Sequence, residues 1–151
     1  MKSTKVLLLD DQIGDLAWLL DLLEDRGYEV FYATNEKDAR SSLEAIARGE
    51  MAYALAVVDV MMAVDDISRV VELDDAFFQS SKDTGVRLCR YARRELGISA
   101  EELPMIAFSQ RDDEEVKRAL AEAGVEYRYR AAADAAASLR HWIERHLPDL
   151  S

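Results

Sequence analysis

Residues 54–59 read Ala-Leu-Ala-Val-Val-Asp: a short apolar run with no polar interruption, stopped by a single acid. A run of that length and composition, bounded by charge, is the pattern of a strand buried on both faces, as in a parallel sheet covered by helices. A second stretch repeats it, Lys5-Val6-Leu7-Leu8-Leu9 ending in Asp10-Asp11. If the two are neighbours in one parallel sheet, Asp10, Asp11 and Asp59 meet at its carboxyl edge, where open α/β sheets bind ligands. Three carboxylates that close repel one another, so at neutral pH they need raised pKa values or a cation. Oxygen-only donors in a small acidic pocket suit Mg²⁺, which takes one or two carboxylates, waters and a phosphate. The two stretches therefore point to a Mg²⁺-assisted phosphoryl site.

Working outward, strands and helices alternate. Ile13–Asp25 has apolar residues at helical spacing (Ile13, Leu16, Leu19/Leu20, Leu23) and Gly27 stands where a C-terminal glycine would end the helix. Glu29–Ala33 predicts a second strand. Asn35 can cap a helix over Glu36–Arg48 with Ala39, Leu43, Ile46 and Ala47 inward. The third strand spans Ala52–Val58. After residues 61–82, Val86–Leu96 predicts a helix carrying Val86, Cys89/Arg90, Ala92 and Leu96. Met105–Phe108 predicts the fourth strand, Asp112–Ala123 a helix closed by Gly124, Glu126–Arg130 a fifth strand, and Ala131–His146 a last helix stopped before Pro148. Short links between alternating elements imply right-handed parallel crossovers and helices on both sheet faces.

The 151 residues make one domain's worth of chain, and half of them are hydrophobic, enough for a proper core. A net charge of −11 argues against nucleic acid or an anionic membrane surface as a partner. The single Cys89 allows no internal disulfide, fits a reducing cytosol and reads as a small buried residue. No apolar stretch approaches a membrane span or a signal peptide, so a cytoplasmic location is expected. His141 and His146, five apart, do not stack as metal ligands; Trp18 and Trp142 read as packing residues.

The segments VLLLDDQ (6–12), ALAVVDVMM (54–62), DTGVRLCRYAR (83–93) and LPMIAFSQ (103–110), with the weaker EAGVEYRYR (122–130), resemble the response-regulator receiver domain of two-component signalling. The resemblance covers nearly the whole chain and implies a flavodoxin-like, doubly wound sheet of five parallel strands in the order 2-1-3-4-5 with five helices, one domain over residues 1–151. It implies Asp59 as phospho-acceptor, Asp10, Asp11 and Asp59 with the backbone carbonyl of Met61 as Mg²⁺ ligands, and Ser109 as the hydroxyl that bonds the phosphoryl group. The phosphoryl donor it implies is a histidine kinase or phosphotransfer protein. No output domain fits after His146, so output is expected through protein contacts with a downstream partner, and a homodimer is compatible with the sequence.

The chain departs from the family twice. The family's lysine at the end of the fifth strand, usually followed by proline, is missing from Tyr127-Arg128-Tyr129-Arg130-Ala131-Ala132. Arg130 and Arg111 are the candidate replacements, each with two readings open, phosphoryl partner or solvated surface arginine; Arg128 reads as surface. Arginine's wide planar fork is no drop-in for a point ammonium. Second, the link from acceptor to the next helix is longer than the family's by roughly 15–20 residues. This insertion, at about residues 63–83, has Ala63 in place of the family's proline and carries Asp65, Asp66, Glu72, Asp74 and Asp75 among Ile67, Val70, Val71, Leu73, Phe77 and Phe78. It reads either as a docking segment or as a surface helix packed on its own domain, with Phe77-Phe78 the better candidate for a contact. Tyr127 and Tyr129 are similar in placement to the family's mobile aromatic.

Four functions follow for comparison. The leading one is a stand-alone receiver that is phosphorylated and is not otherwise an enzyme. The alternative is a pseudo-receiver, a phosphorylation-independent interaction module, favoured by the missing lysine and opposed by the retained Asp10/Asp11/Asp59/Ser109 set. An aspartyl phosphatase is disfavoured because Asp10 is followed by Asp11-Gln12, not by the Asp-x-Asp of that group. A flavodoxin-like cofactor role lacks a phosphate-binding loop after the first strand.

Overall fold

The computed structural model describes residues 3–61 and 83–151. The readings made for Ala63–Phe78 in the insertion lie outside these residues. Strands β1 (Lys5–Leu9), β2 (Glu29–Ala33), β3 (Leu55–Val58), β4 (Met105–Ser109) and β5 (Glu126–Tyr129) form one parallel sheet in the order β2-β1-β3-β4-β5. Helices α1 (Ala17–Asp25), α2 (Glu36–Ala47), α3 (Thr84–Arg90), α4 (Glu114–Glu122) and α5 (Ala135–His146) alternate with them. The expected topology and parallel sheet are present.

The period-two pleat divides the core into two layers. Leu7, Leu9, Ala56, Val58, Met105 and Ala107 pack under α2, α3 and α4, against Leu43, Val86, Cys89 and Val116. Val6, Leu8, Leu55, Val57, Ile106 and Phe108 face α1 and α5, against Leu19, Leu23, Leu139 and Trp142. Strands β3 and β4 are buried at every position, and β1 at every position but Lys5, because both faces are covered. Burial pushes the Cys89 thiol up to about 12, which leaves it an inert packing residue.

Several boundaries differ from the sequence reading. The first helix opens as a 3-10 turn, Ile13–Leu16, before becoming α-helical. Strand β3 starts at Leu55, not Ala52, and β4 runs on to Ser109. Helix α4 starts at Glu114 and α5 at Ala135, each later than expected, and β5 ends at Tyr129. Helix α3 passes into a π-helical turn, Tyr91–Glu95, that keeps Ala92 buried and leaves Leu96 half-buried. In α2 the inner face holds Ala39 and Leu43, but Ala47 is exposed, whereas Glu36 and Arg40 are buried. An aliphatic helical pattern cannot reveal this: Glu36 is inside because Arg87 of α3 meets it, Nη2 to Oε2 at 3.0 Å. Asn35 caps α2 as expected, its side chain accepting from the Asp38 N–H at 2.8 Å. Gly27, at φ 93°, turns the chain after α1 in a conformation that favours glycine.

Candidate functional site

Parallel register puts Leu9 beside Val58, so the next residue of one strand and of the other leave the sheet together. The Asp59 N–H donates to the Leu9 carbonyl at 2.8 Å, and the Asp10 N–H to the Ala33 carbonyl at 3.1 Å. Asp10 and Asp59 are buried and Asp11 is exposed. One carboxylate oxygen from each of the three lies within 4.8 Å of the others. Asp10 and Asp59 are each braced by their own turn: Asp10 Oδ1 accepts from the Gln12 N–H at 2.8 Å, and Asp59 Oδ1 from the Met61 N–H at 3.1 Å.

The second oxygens of Asp10 and Asp59 face a cation. Arg130, whose N–H donates to the Ser109 carbonyl at 2.8 Å, follows β5 at the same edge of the sheet. Its Nη1 lies 2.9 Å from Asp10 Oδ2 and 3.6 Å from Asp59 Oδ2. Its Nη2 is buried and has no hydrogen-bond partner among the described residues. The guanidinium sits 5.3 Å from the centre of the Phe108 ring, which Trp18 meets edge-on at 6.4 Å.

These surroundings set the chemistry of Asp59. Burial first, and then the charge of Asp10, raise its pKa from 3.8 to about 6; the Met61 N–H, Arg130 and the Ser109 hydroxyl oppose the rise. Asp59 is therefore largely ionised at neutral pH but held in a site that favours a cation. An all-oxygen donor set with this excess of negative charge fits a hard divalent cation such as Mg²⁺.

Ser109, the last residue of β4, is fully buried, and its Oγ accepts from the Arg111 N–H at 3.1 Å. The Arg111 side chain is directed to acids other than the trio: Nη1 meets Asp83 Oδ1 at 2.7 Å and Nε meets Asp113 Oδ2 at 3.1 Å. Tyr127 donates its hydroxyl hydrogen bond to the Arg111 carbonyl, and Tyr129 is exposed. Arg128 is part-buried rather than solvated, donating to Ser138 Oγ at 2.8 Å and to Glu126 at 3.2 Å. His146 bonds the Trp142 carbonyl through Nδ1 and stacks on that ring, and His141 is exposed.

One residue gains a role that spacing could not assign. Gly85 donates to the Val60 carbonyl at 2.8 Å. A Cβ at this position would stand 2.6 Å from Val60 Cα and against the Asp59 carbonyl oxygen. Helix α3 thus starts in direct contact with the backbone of Asp59 and Val60, and only glycine permits that approach. In sequence, Thr84-Gly85 signals no more than a return to order.

An acidic trio at the carboxyl edge of the central strands of a doubly wound sheet defines a class of architecture. No protein-family model matches the sequence, and no curated protein matches it. Solved structures of receiver domains match the fold. A two-component response regulator from Clostridium difficile superposes with a TM-score of 0.65 at 16% identity, over 95% of this chain and 94% of that one. The chemotaxis protein CheY4 of Vibrio cholerae gives 0.63 at 18% identity, covering 97% and 100%. The BeF3-activated receiver domain of DrrB, a Thermotoga maritima protein, gives 0.61 at 19% identity, covering 97% of each. The chain has the receiver fold; at such identities, function must be argued from its own residues. No helix among the described residues is long and apolar enough to cross a membrane.

Proposed function

We propose that the protein is a receiver-type phospho-acceptor in phosphorelay signalling, modified on Asp59 and read through protein contacts. The observation that carries this reading is the convergence of Asp10, Asp11, Asp59, Ser109 and Arg130 on one sheet edge. Asp10, Asp11 and Asp59, with the Met61 carbonyl, would hold Mg²⁺. When bound, the metal supplies positive charge shared between the acceptor and the incoming phosphoryl oxygens.

An ionised Asp59 oxygen attacks phosphorus, forming the P–O bond of an acyl phosphate, while the bond to the donor breaks and its electron pair leaves with the donor nitrogen or oxygen. The donor is a phosphohistidine on a kinase or phosphotransfer protein, or a small acyl phosphate. Met61 orients Asp59 through its N–H, the buried Ser109 hydroxyl can bond a phosphoryl oxygen, and Arg130 supplies charge where the family has lysine. Arg111, committed to Asp83 and Asp113, serves better as a tether of the Ser109 loop than as a phosphoryl ligand.

One observation favours the alternative of a phosphorylation-independent interaction module: Arg130 Nη1 lies against both Asp10 and Asp59 and offsets their charge from within the chain. Intact mass spectrometry after incubation with acetyl phosphate separates the two. A Mg²⁺-dependent gain of one phosphoryl group, absent in Asp59→Asn, is expected; an unmodified protein under these conditions sinks the phospho-acceptor and leaves the interaction module.

A further inference from the structure

The amino edge of the sheet, at the far end of the strands from Asp59, holds a cavity of about 470 Å³. Ser3, Tyr28, Ala54 and Pro104, which stand just before β1, β2, β3 and β4, line it, together with the end of α5 and the chain that leaves it. A hollow of that size is in the range of small-molecule sites. Its walls are held in place. Tyr28 and Tyr53 in the lining are buried, and the Tyr28 hydroxyl donates to the Pro148 carbonyl at 2.8 Å. The Arg26 side chain donates to the Leu147 carbonyl, and the Leu150 N–H donates to the Arg26 carbonyl at 2.7 Å, so the segment after α5 is pinned to the turn before β2. The charges in the lining come in two groups: Glu101 and Glu102 from the segment before β4, and Arg145 and His146 from the last turn of α5. Among the described residues, the Arg145 and Glu101 side chains make no ion pair or hydrogen bond, and the Glu102 carboxylate accepts only from the Ser99 N–H, at 3.3 Å. His146 Nδ1 meets the Trp142 carbonyl at 2.8 Å; a carbonyl only accepts, so Nδ1 carries the hydrogen and Nε2 is left for a ligand.

Opposite charges that line one cavity without meeting, on an otherwise aromatic and aliphatic wall, complement a small molecule that carries both signs on an apolar body. We propose that this cavity binds a free amino acid with a large apolar side chain. Its carboxylate pairs with the Arg145 guanidinium, whose planar fork matches a carboxylate. Its ammonium lies between Glu101, Glu102 and His146 Nε2, and its side chain packs on Tyr28, Pro104 and Leu147. The site is separate from Asp59 and stands whether or not Asp59 is phosphorylated.

The test is calorimetric titration of L-phenylalanine and L-leucine into the full chain. Phenethylamine and hydrocinnamate serve as analogues of phenylalanine that lack the carboxylate and the ammonium in turn. At least one of the amino acids is expected to bind, and each analogue to bind about tenfold more weakly than phenylalanine. Arg145→Gln should remove the preference over phenethylamine, and Glu101→Gln with Glu102→Gln the preference over hydrocinnamate. All three side chains are exposed, so these variants keep the fold. Trp142, stacked on His146 with ring centres 4.1 Å apart, should change its emission on binding, read in Trp18→Phe to remove the other tryptophan. No binding of either amino acid overturns the proposal. Phenethylamine bound as tightly as phenylalanine would make this a cation site, and hydrocinnamate bound as tightly an anion site; either result overturns the zwitterion. Affinity unchanged in both charge variants would put the ligand outside this cavity and overturn it as well.

Discussion

Two arginines reach across the fold to a buried carboxylate, and the contrast between them separates scaffold from site. Arg87 of α3 meets Glu36 at the start of α2 with both Nε and Nη2, at 3.1 and 3.0 Å, with 1% and 2% of the two side chains exposed. Arg130 meets Asp10 through one nitrogen, with 12% of the arginine exposed and a second acid, Asp59, at 3.6 Å. The first pair is sealed and packs between two helices. The second is one arrangement among several that the cluster of charges could adopt, because the arginine serves two acids and has a spare donor. Buried ion pairs are weak sources of net stability but costly to break from one side. The lesson is that the same chemistry locks the fold where it is closed and can be exchanged where it borders a cleft.

The largest expected effect comes from breaking the sealed pair. Arg87→Met leaves Glu36 buried and uncompensated and should cost about 3–5 kcal/mol in urea unfolding, with no recovery on adding Mg²⁺. A loss that Mg²⁺ restores would place this pair in the functional site and abolish the contrast.

The next effect is pH dependence at the open cluster. The folded pKa of Asp59, about 6, lies above its unfolded value of 3.8, so the folded state binds the proton more tightly. That contribution to stability is fully present below about 4 and is lost as pH rises through about 6, worth about 2–3 kcal/mol for a shift of this size. Unfolding free energies measured from pH 4 to 7.5 without metal should show this fall, Asp59→Asn should lack it, and Mg²⁺ should offset it at pH 7. A slope unchanged in Asp59→Asn would assign it to another group.

Gly85→Ala probes the joint between scaffold and site. The added methyl must displace Val60 or the Asp59 carbonyl, an overpacking cost of about 1–3 kcal/mol. Phosphorylation of Asp59 should fall by more than stability alone explains, read as the initial rate of mass gain under conditions where the variant is fully folded. An unaltered rate would show that α3 does not set the acceptor's geometry.

The smallest effect sharpens the comparison from the other side. Arg130→Gln should lower stability at pH 7 by about 1–2 kcal/mol, since a partly screened charge partner is lost from a buried acid. Unlike the loss at Arg87, this one should be recovered by millimolar Mg²⁺ in a thermal melt. Failure of Mg²⁺ to restore it would make the two arginines equivalent.

Much of the site was readable in one dimension because its acids follow buried strands. Apolar runs such as Leu7-Leu8-Leu9 and Ala56-Val57-Val58 have one way to be buried, and the residues after them must emerge at the same edge of a parallel sheet. Ser109, read as following β4, closes that strand at the same edge. The buried polar residues were not readable in this way. Glu36, Arg40 and Arg87 lie on helices whose apolar spacing does not include them, and nothing local marks the one acid that another helix will meet. The direction of Arg111, toward Asp83 and Asp113 and not toward the trio, depends on loops that converge only in space.

Hydrophobic patterning and the acids that interrupt it determined, from the sequence by itself, the parallel doubly wound sheet and the clustering of Asp10, Asp11 and Asp59. Burial of an apolar strand is non-directional and depends on composition and period, which a sequence displays. Tertiary structure alone decided that Arg130 rests on Phe108 between two carboxylates, that Gly85 touches the Asp59 backbone, and that Arg87 is sealed against Glu36. Those outcomes turn on distances of a few ångströms between residues far apart in the chain, and charge pairing and steric exclusion are decided at that range.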